Sequence, residues 1–325
     1  MIDFDYLQPG SLEEASGLLQ KGNGNALPYG GGTDALGLLK DDIIAPGQLV
    51  NLKNIPNLNA IDYTEGKGMK IGALVTITEI SLNPVIAEKY AVLSEAAQKI
   101  ASPQLRNVGT LGGNLTQRPR CWYFRKDFHC IRKGGDVCYA VDGENKYHCI
   151  IGGGPCYIVY PSDTAVALSV LDAQVNIFSG KKSRSVPIKD FFILPETDPT
   201  KENILKPGEI VTGVFIPEPP RNSVSGYYKF MEREVWDFAV VSVAALVNTS
   251  GGRIRSCRLA YGGVAPKPWT DDKINNLFSG LEIVEEKLGE KVKNIFTDAI
   301  ALEQNAYKIP LARNLTKLML LKLAS

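Results

Sequence analysis

Five of the six cysteines of this 325-residue chain lie between positions 121 and 156: Cys121, Cys130, Cys138, Cys149 and Cys156. Both histidines, His129 and His148, fall in the same window. Free cysteines are common singly in cores, whereas a crowd of soft ligands calls for a fold in which this stretch closes on itself. Eight residues separate Cys121 from Cys130, seven separate Cys130 from Cys138, and seventeen separate Cys138 from Cys156. No C-x-x-C pair occurs, so zinc ribbons and bacterial-type ferredoxins are poor matches. An iron–sulfur cluster needs four thiolates, and a structural zinc site could combine cysteine with His129 or His148. The spacing alone leaves these two readings level. The cations Arg118, Arg120, Arg125, Lys126, Arg132 and Lys133 read either as a solvated face or as surroundings for an anionic cluster.

Lys plus Arg is 36 and Asp plus Glu is 35, a net charge of +1, which argues against an electrostatic nucleic-acid binder. Hydrophobic residues at 44% and charged residues at 22% describe a globular chain. At roughly 100–200 residues per domain, two or three domains are expected. The acidic, mixed start MIDFDYLQPGSLEEA does not read as a signal peptide, and no apolar run reaches the ~18 residues of a membrane span. A cytoplasmic location is the expectation, and there clustered cysteines more often serve metal or redox chemistry than disulfides.

No internal repeats or low-complexity tracts interrupt the chain. The first segment predicts a βαβ-like unit: a strand over Phe4–Leu7, a helix capped by Ser11 with Glu14 completing a capping box, and strands over Ala26–Tyr29 and Gln48–Leu52. A short helix, Ala35–Lys40, lies between those two strands. Ala60–Tyr63 and Met69–Ile71 predict a hairpin, and Thr76 to about Ser102 a helix broken near Asn83-Pro84. Positions 118 to about 157 show no sustained periodicity, and so long a loop in a compact domain tends to be functional. Beyond it come a helix after Pro161-Ser162-Asp163, strands over Gln174–Phe178 and Ile210–Ile216, and a linker at Pro217, Pro219 and Pro220. Gly226–Phe230, Val240–Val247 and Ile254–Tyr261 read as an antiparallel sheet, followed by helices near Asp271–Ser279, Val284–Lys293, Ile295–Gln304 and Leu311–Leu323. The C-terminal region is therefore α+β.

Two glycine-rich loops share a physical logic. In Gly30-Gly31-Gly32-Thr33-Asp34 and Gly109-Thr110-Leu111-Gly112-Gly113-Asn114, missing Cβ atoms allow close approach to a ligand, and successive N–H groups suit phosphate oxygens. Each alone could be a tight turn. Neither matches G-x-G-x-x-G or the P-loop, so together they suggest a diphosphate cofactor on a non-Rossmann scaffold.

The residues then carry a resemblance over essentially the whole length. The two glycine loops (the second within Arg106–Asn114), Pro161-Ser162-Asp163, Leu205–Ile210, Tyr228-Lys229-Phe230, Phe238–Ala244 and Gly262–Pro268 resemble the FAD-binding medium subunits of the molybdenum hydroxylase (xanthine oxidase) family. The cysteine window resembles the branches that carry a [4Fe–4S] cluster on an inserted loop, the 4-hydroxybenzoyl-CoA reductases and, more closely through Gln117–Phe124 and Val264–Trp269, the aldehyde oxidoreductases. The resemblance implies an α+β chain with a two-subdomain FAD-binding domain of the PCMH or vanillyl-alcohol-oxidase type. Its parts would be 1–58 and 59–220, with the iron–sulfur loop inserted at about 118–157. A C-terminal antiparallel sheet with helices, like that of CO dehydrogenase flavoproteins, would span 224–325.

By the same resemblance Cys121, Cys130, Cys138 and Cys156 are the cluster ligands, Cys149 is spare and Cys257 is structural. Tyr29, Gly30, Gly31, Gly32, Thr33 and Asp34, with Gly109, Thr110, Gly112, Gly113 and Asn114, would hold FAD around its diphosphate. Ser162 and Asp163 would sit near the ribityl or ring region, Ile210 near the adenine, Lys229 near the flavin edge, and Phe238 over one face of the ring. Phe238 also reads as an ordinary core aromatic. The implied partners are a small subunit with [2Fe–2S] clusters, a large molybdenum-cofactor subunit and an external electron acceptor, with no catalytic residue on this chain. Aldehyde oxidation is the implied reaction, with a reductase-type role, a stand-alone FAD oxidase and a zinc-stabilised binding module as alternatives. The complex could be exported through a partner's signal.

Overall fold

A computed structural model describes residues 2–324. Three parallel strands, β1 (Asp5–Leu7), β2 (Ala26–Tyr29) and β3 (Gln48–Asn51), form a small sheet in the order β1-β3-β2. Ser11 caps the helix Leu12–Gly22 by accepting the Glu14 N–H, but the Glu14 carboxylate takes the N–H of Gly10, one residue earlier than a capping box requires.

The second sheet has five antiparallel strands in the order β4-β5-β8-β6-β7: β4 (Ile61–Thr64), β5 (Gly68–Gly72), β6 (Gln174–Ser179), β7 (Lys182–Pro187) and β8 (Glu209–Pro217). Strand β7 escapes sequence reading because its KSRSVP segment is polar and lies at the sheet edge. The helical stretch after Thr76 is three helices, Ile77–Leu82, Pro84–Lys89 and Ala91–Gln98. Asn83 caps the second ahead of Pro84, and the chain turns out of helical geometry again at Tyr90.

The third sheet is an antiparallel meander of β9 (Ser223–Phe230), β10 (Val241–Ser250) and β11 (Arg253–Gly262), with β10 central. The apolar run of β10 divides by the two-residue period of a strand. Val241, Val243, Ala245 and Val247 join the C-terminal core with Leu315 and Met319 of the helix Lys308–Ala324. Ala244 and Leu246 join the main core with Tyr227, Leu93 and Leu168. Each fully buried Val, Leu or Met side chain here contributes about 1.5–3 kcal/mol, so one strand welds two cores. The helix expected over Ile295–Gln304 does not form; this stretch is turns. Its Ile300 N–H donates to the Ile150 carbonyl, and Gln304 reaches Asn145 of the cysteine loop.

Among the described residues no helix is long and apolar enough to cross a membrane.

Candidate functional site

The two glycine loops meet. A Cβ on Gly31 would stand 1.9 Å from the carbonyl oxygen of Val108, and one on Gly109 would stand 3.4 Å from Oγ1 of Thr33. Only glycine permits this approach at position 31. In the second loop Thr110 caps the helix Leu111–Thr116 through Gly113 N–H. The N–H groups of Gly109, Leu111, Gly112 and Asn114 have protein acceptors at Leu105, Val75, Ala73 and Thr110. Gly112 is therefore a packing glycine against Ala73, and the expected row of phosphate-facing N–H groups is not built here. It is the first loop that offers donors: the N–H groups of Gly31, Gly32 and Thr33 meet no acceptor among the described residues. Tyr29 packs its ring on Gly32 and lies edge-on to Tyr6.

A cleft runs away from these loops. Its narrow end, about 100 Å³, is lined by Gly30, Leu52, Thr110, Gly113 and Ile210. The next cavity, about 370 Å³, is lined by Thr33, Asp34, Gly109, Thr110, Gly113, Asn114, Asp163, Lys229, Trp236 and Phe238. The Asn114 side chain accepts at Oδ1 from the hydroxyls of Ser162 and Thr164, both at 2.6 Å, which leaves its amide N–H groups as donors. Ser162 also caps the helix Asp163–Val170. Lys229 Nζ donates to Asp163 Oδ2 at 2.8 Å and to the Lys99 carbonyl at 3.0 Å, and Tyr227 donates to the other Asp163 oxygen. The Lys229 and Asp163 side chains are 1% and 7% exposed, so this is a buried pair, and losing one partner would cost about 3–5 kcal/mol.

Phe238 is half-exposed and lines both this cavity and a third of about 400 Å³, so it is not a core aromatic. The third cavity reaches Cys121, Trp122 and His148. Sequence reasoning missed Trp236, exposed at the tip between β9 and β10 with φ 54°. Nothing in a lone tryptophan signals this placement.

The cysteine loop gathers its thiols. Cys121 and Cys130 pack with Leu38 and Phe124. The Cys138 and Cys156 thiols lie close enough to influence each other, and Cys121 lies within electrostatic range of Cys130, Cys138 and Cys156. The neighbouring Cys156 thiol lowers the Cys138 thiol below its ordinary value, against burial and with help from the N–H groups of Tyr157 and Ala140. Burial pushes Cys121 up to about 11. His148 Nε2 stands 3.2 Å from the Cys121 sulfur; burial and the nearby Lys308 push its pKa down to about 4, so the ring is neutral. Cys149 is buried, close to Cys156 and Lys308, and burial raises its thiol. Cys257 is buried on β11 in the C-terminal core. Among the described residues no three His, Cys, Asp or Glu side chains form a group that could hold a metal ion.

Three parts of the chain anchor this loop. Asp34 accepts from the Arg118 N–H and Arg125 at 2.8 Å each and pairs with Arg120. Burial raises the Asp34 carboxyl, but the two guanidinium groups outweigh it and hold it below its ordinary value. Glu202, 5% exposed, accepts from Arg118 Nε at 2.9 Å and Arg132 Nη1 at 2.6 Å. The loop's cations are thus in good part structural, and Arg132 is buried, not part of a solvated face. In the C-terminal region Lys308, fully buried, donates to the carbonyls of Tyr147, His148 and Gly263 at 2.7–3.0 Å. Asn305 donates to His148 and Cys149, and Gln304 exchanges two hydrogen bonds with Asn145. Neither Glu202 nor Lys308 carries a local sequence signal.

The donors fit a dinucleotide: three amide N–H groups beside a cradle that a side chain at position 31 would fill, opening on an apolar narrow end and a long cleft. Residues 2–219 match the family described as FAD binding domain in molybdopterin dehydrogenase, and residues 226–323 match the CO dehydrogenase flavoprotein C-terminal domain. The chain is 37% identical over 288 residues to the aldehyde oxidoreductase FAD-binding subunit PaoB of Escherichia coli (strain K12), covering 87% of this chain and 86% of that one. It is 28% identical over 302 residues to the glyceraldehyde dehydrogenase medium chain of Sulfolobus acidocaldarius, covering 92% and 86%. Among solved structures it resembles a chain of the reconstituted CO dehydrogenase from Oligotropha carboxidovorans, with TM-score 0.78, 22% identity and coverage of 99% and 98%, which speaks for the fold. Quinoline 2-oxidoreductase from Pseudomonas putida 86 is similar at TM-score 0.76, 24% identity and coverage of 99% and 97%. With both halves matched and all three sheets in place, the chain belongs to the FAD-binding medium subunits of the molybdenum hydroxylase family.

Proposed function

We propose that this chain is the FAD- and [4Fe–4S]-carrying electron-transfer subunit of a heteromeric molybdenum hydroxylase acting on aldehydes. Its partners would be a small subunit with [2Fe–2S] clusters, a large subunit with the molybdenum cofactor, and an external acceptor. The observation that carries the reading is Arg120, which joins the two sites: it is on the cysteine loop, pairs with Asp34 of the first glycine loop, and covers Phe238 in the cleft. The 37% identity to an aldehyde oxidoreductase subunit supports the aldehyde assignment.

The N–H groups of Gly31, Gly32 and Thr33, with the Asn114 amide, would hold the diphosphate of FAD. Leu52 and Ile210 would receive the adenine end. Asp163 orients Lys229, whose remaining N–H would face the ring end, and Phe238 would cover the ring. When bound, flavin converts between one- and two-electron transfer. No side chain of this chain is required as a general base. Cys121, Cys130, Cys138 and Cys156 would ligate the cluster. The support for this is the donor set: four cysteines of one loop, with Cys121 within electrostatic range of the other three. The domain parts 1–58, 59–220 and 224–325 are proposed as the units of this design.

The test is flavin, iron, sulfide and molybdenum analysis of the complex purified anaerobically from its native host. One FAD and about four iron per copy of this chain, beyond the small subunit's complement, support the reading. Flavin with no iron or labile sulfide on this chain, or a single zinc, overturns the cluster.

A further inference from the structure

Among the described residues, Arg132 is the one charged side chain hydrogen-bonded to a sulfur of the four gathered cysteines. Its Nε lies 3.5 Å from Sγ of Cys156, and its side chain is 1% exposed. Its Nη1 is 2.6 Å from Glu202, which also accepts Arg118 Nε at 2.9 Å. One carboxylate thus serves two guanidinium groups, and the group carries an excess positive charge in a buried place. A buried charge is tolerated when it is both paired and hydrogen-bonded. The guanidinium N–H that reaches Cys156 is placed to meet an anionic sulfur there. The other three sulfurs differ. Cys121 faces the His148 imidazole at 3.2 Å, Cys138 lies beside Cys156 itself, and Cys130 packs against Leu38 and Phe124.

We propose that Arg132 is a positioning residue for the iron–sulfur site: held by Glu202, its guanidinium donates to the Cys156 thiolate and raises the reduction potential of the cluster bound there. The inference rests on the cluster reading above. One-electron reduction adds a negative charge to an already anionic cluster. A buried cation hydrogen-bonded to one of its sulfurs favours the reduced form, and a carboxylate beside that cation opposes it. The Arg132–Glu202 pair therefore sets the potential through two opposed charges, and the sign of each contribution follows from its charge.

The experiment is an anaerobic redox titration of the native heteromeric complex, with the cluster followed by electron paramagnetic resonance and iron, sulfide and flavin measured on the same samples. Arg132→Gln keeps an N–H donor and removes the charge; its cluster potential is expected to fall below that of the parent at unchanged flavin content. Glu202→Gln keeps both guanidinium groups and removes the opposing charge; its potential is expected to rise. Opposite signs in the two variants support the proposal, because a merely structural role would lower cluster occupancy and leave the potential of the retained clusters alone. Retained clusters at the parent potential in both variants, or shifts of the same sign, overturn it. Should Arg132→Gln retain no iron, Glu202→Gln decides alone: a rise supports the proposal and an unchanged or lowered potential overturns it. A parent complex with no iron on this chain is instead the failure of the cluster reading, and the two failures are told apart by that analysis.

Discussion

The Arg120 guanidinium lies over the ring of Phe238, 5.2 Å from its centroid, while the same group pairs with Asp34. A residue of the cysteine loop and a residue of the β9–β10 connection therefore hold each other across the cleft. A partly exposed cation–π pair contributes about 0.5–1 kcal/mol. In a double-mutant cycle of Arg120→Ala and Phe238→Ala, read as flavin dissociation constants, the two losses are expected to be less than additive by about that amount. Full additivity would show that the two residues act independently on the cleft.

Gly31→Ala would place a methyl 1.9 Å from the Val108 carbonyl, while a Cβ at Gly10 meets nothing within 4 Å. The expected cost at position 31 is about 1–3 kcal/mol with loss of bound flavin, because the two loops must separate. Gly10→Ala should retain flavin. Equal flavin content in the two purified variants would contradict the convergence of the loops.

Asp34 supplies a dependence on pH. Its carboxyl sits below its ordinary value because Arg120 and Arg125 outweigh burial. A depressed carboxyl stabilises the fold at pH above its unfolded value, near 3.9, and this stabilisation disappears as pH falls through the lower folded value. Asp34→Asn should therefore lower the melting temperature at pH 7, at a cost of about 2 kcal/mol. The gap to the parent should narrow below about pH 4. A gap that stays constant into acid would remove the carboxylate as its cause.

Lys308→Met keeps the volume of the side chain and removes the donor to three carbonyls of the loop and the Gly263 turn. Buried acceptors left unpaired cost about 1–3 kcal/mol each. His148 keeps a second donor in Asn305, so a loss of about 3 kcal/mol is expected by thermal unfolding. Unchanged stability would mean that the loop does not depend on this clamp.

Cys149 and Cys138 separate the proposed ligand set from its bystander. Cys138→Ser should lower iron below the four per chain of an intact cluster, and Cys149→Ser should leave it at about four. Iron lost from Cys149→Ser and kept by Cys138→Ser would exchange their roles.

Much of the fold was legible because it is written in local patterns. The alternation and turn residues of β4–β5 and of β9 to β11, and the caps at Ser11, Asn83 and Ser162, act over a few residues and are read there. The polar edge strand β7 and the turns at 295–304 were not legible, since pairing and burial with distant segments decide them. The crowded cysteines gather in one loop, and Gly30, Thr33, Asp34, Gly109, Thr110, Gly113 and Asn114 of the glycine loops line the cleft.

The sequence by itself determined where the soft ligands and the ligand-facing glycines lie: five cysteines in one window and glycines at two loops. Only the tertiary structure decided how these are held. Asp34, Glu202 and Lys308 reach the cysteine loop from three distant parts of the chain. The partner of a buried charge is set by three-dimensional proximity and desolvation, which leave no trace in linear spacing. The same cause turned Arg118, Arg120, Arg125 and Arg132 from a run that could have been a solvated face into anchors of the loop, and left unpaired backbone N–H groups on the first glycine loop.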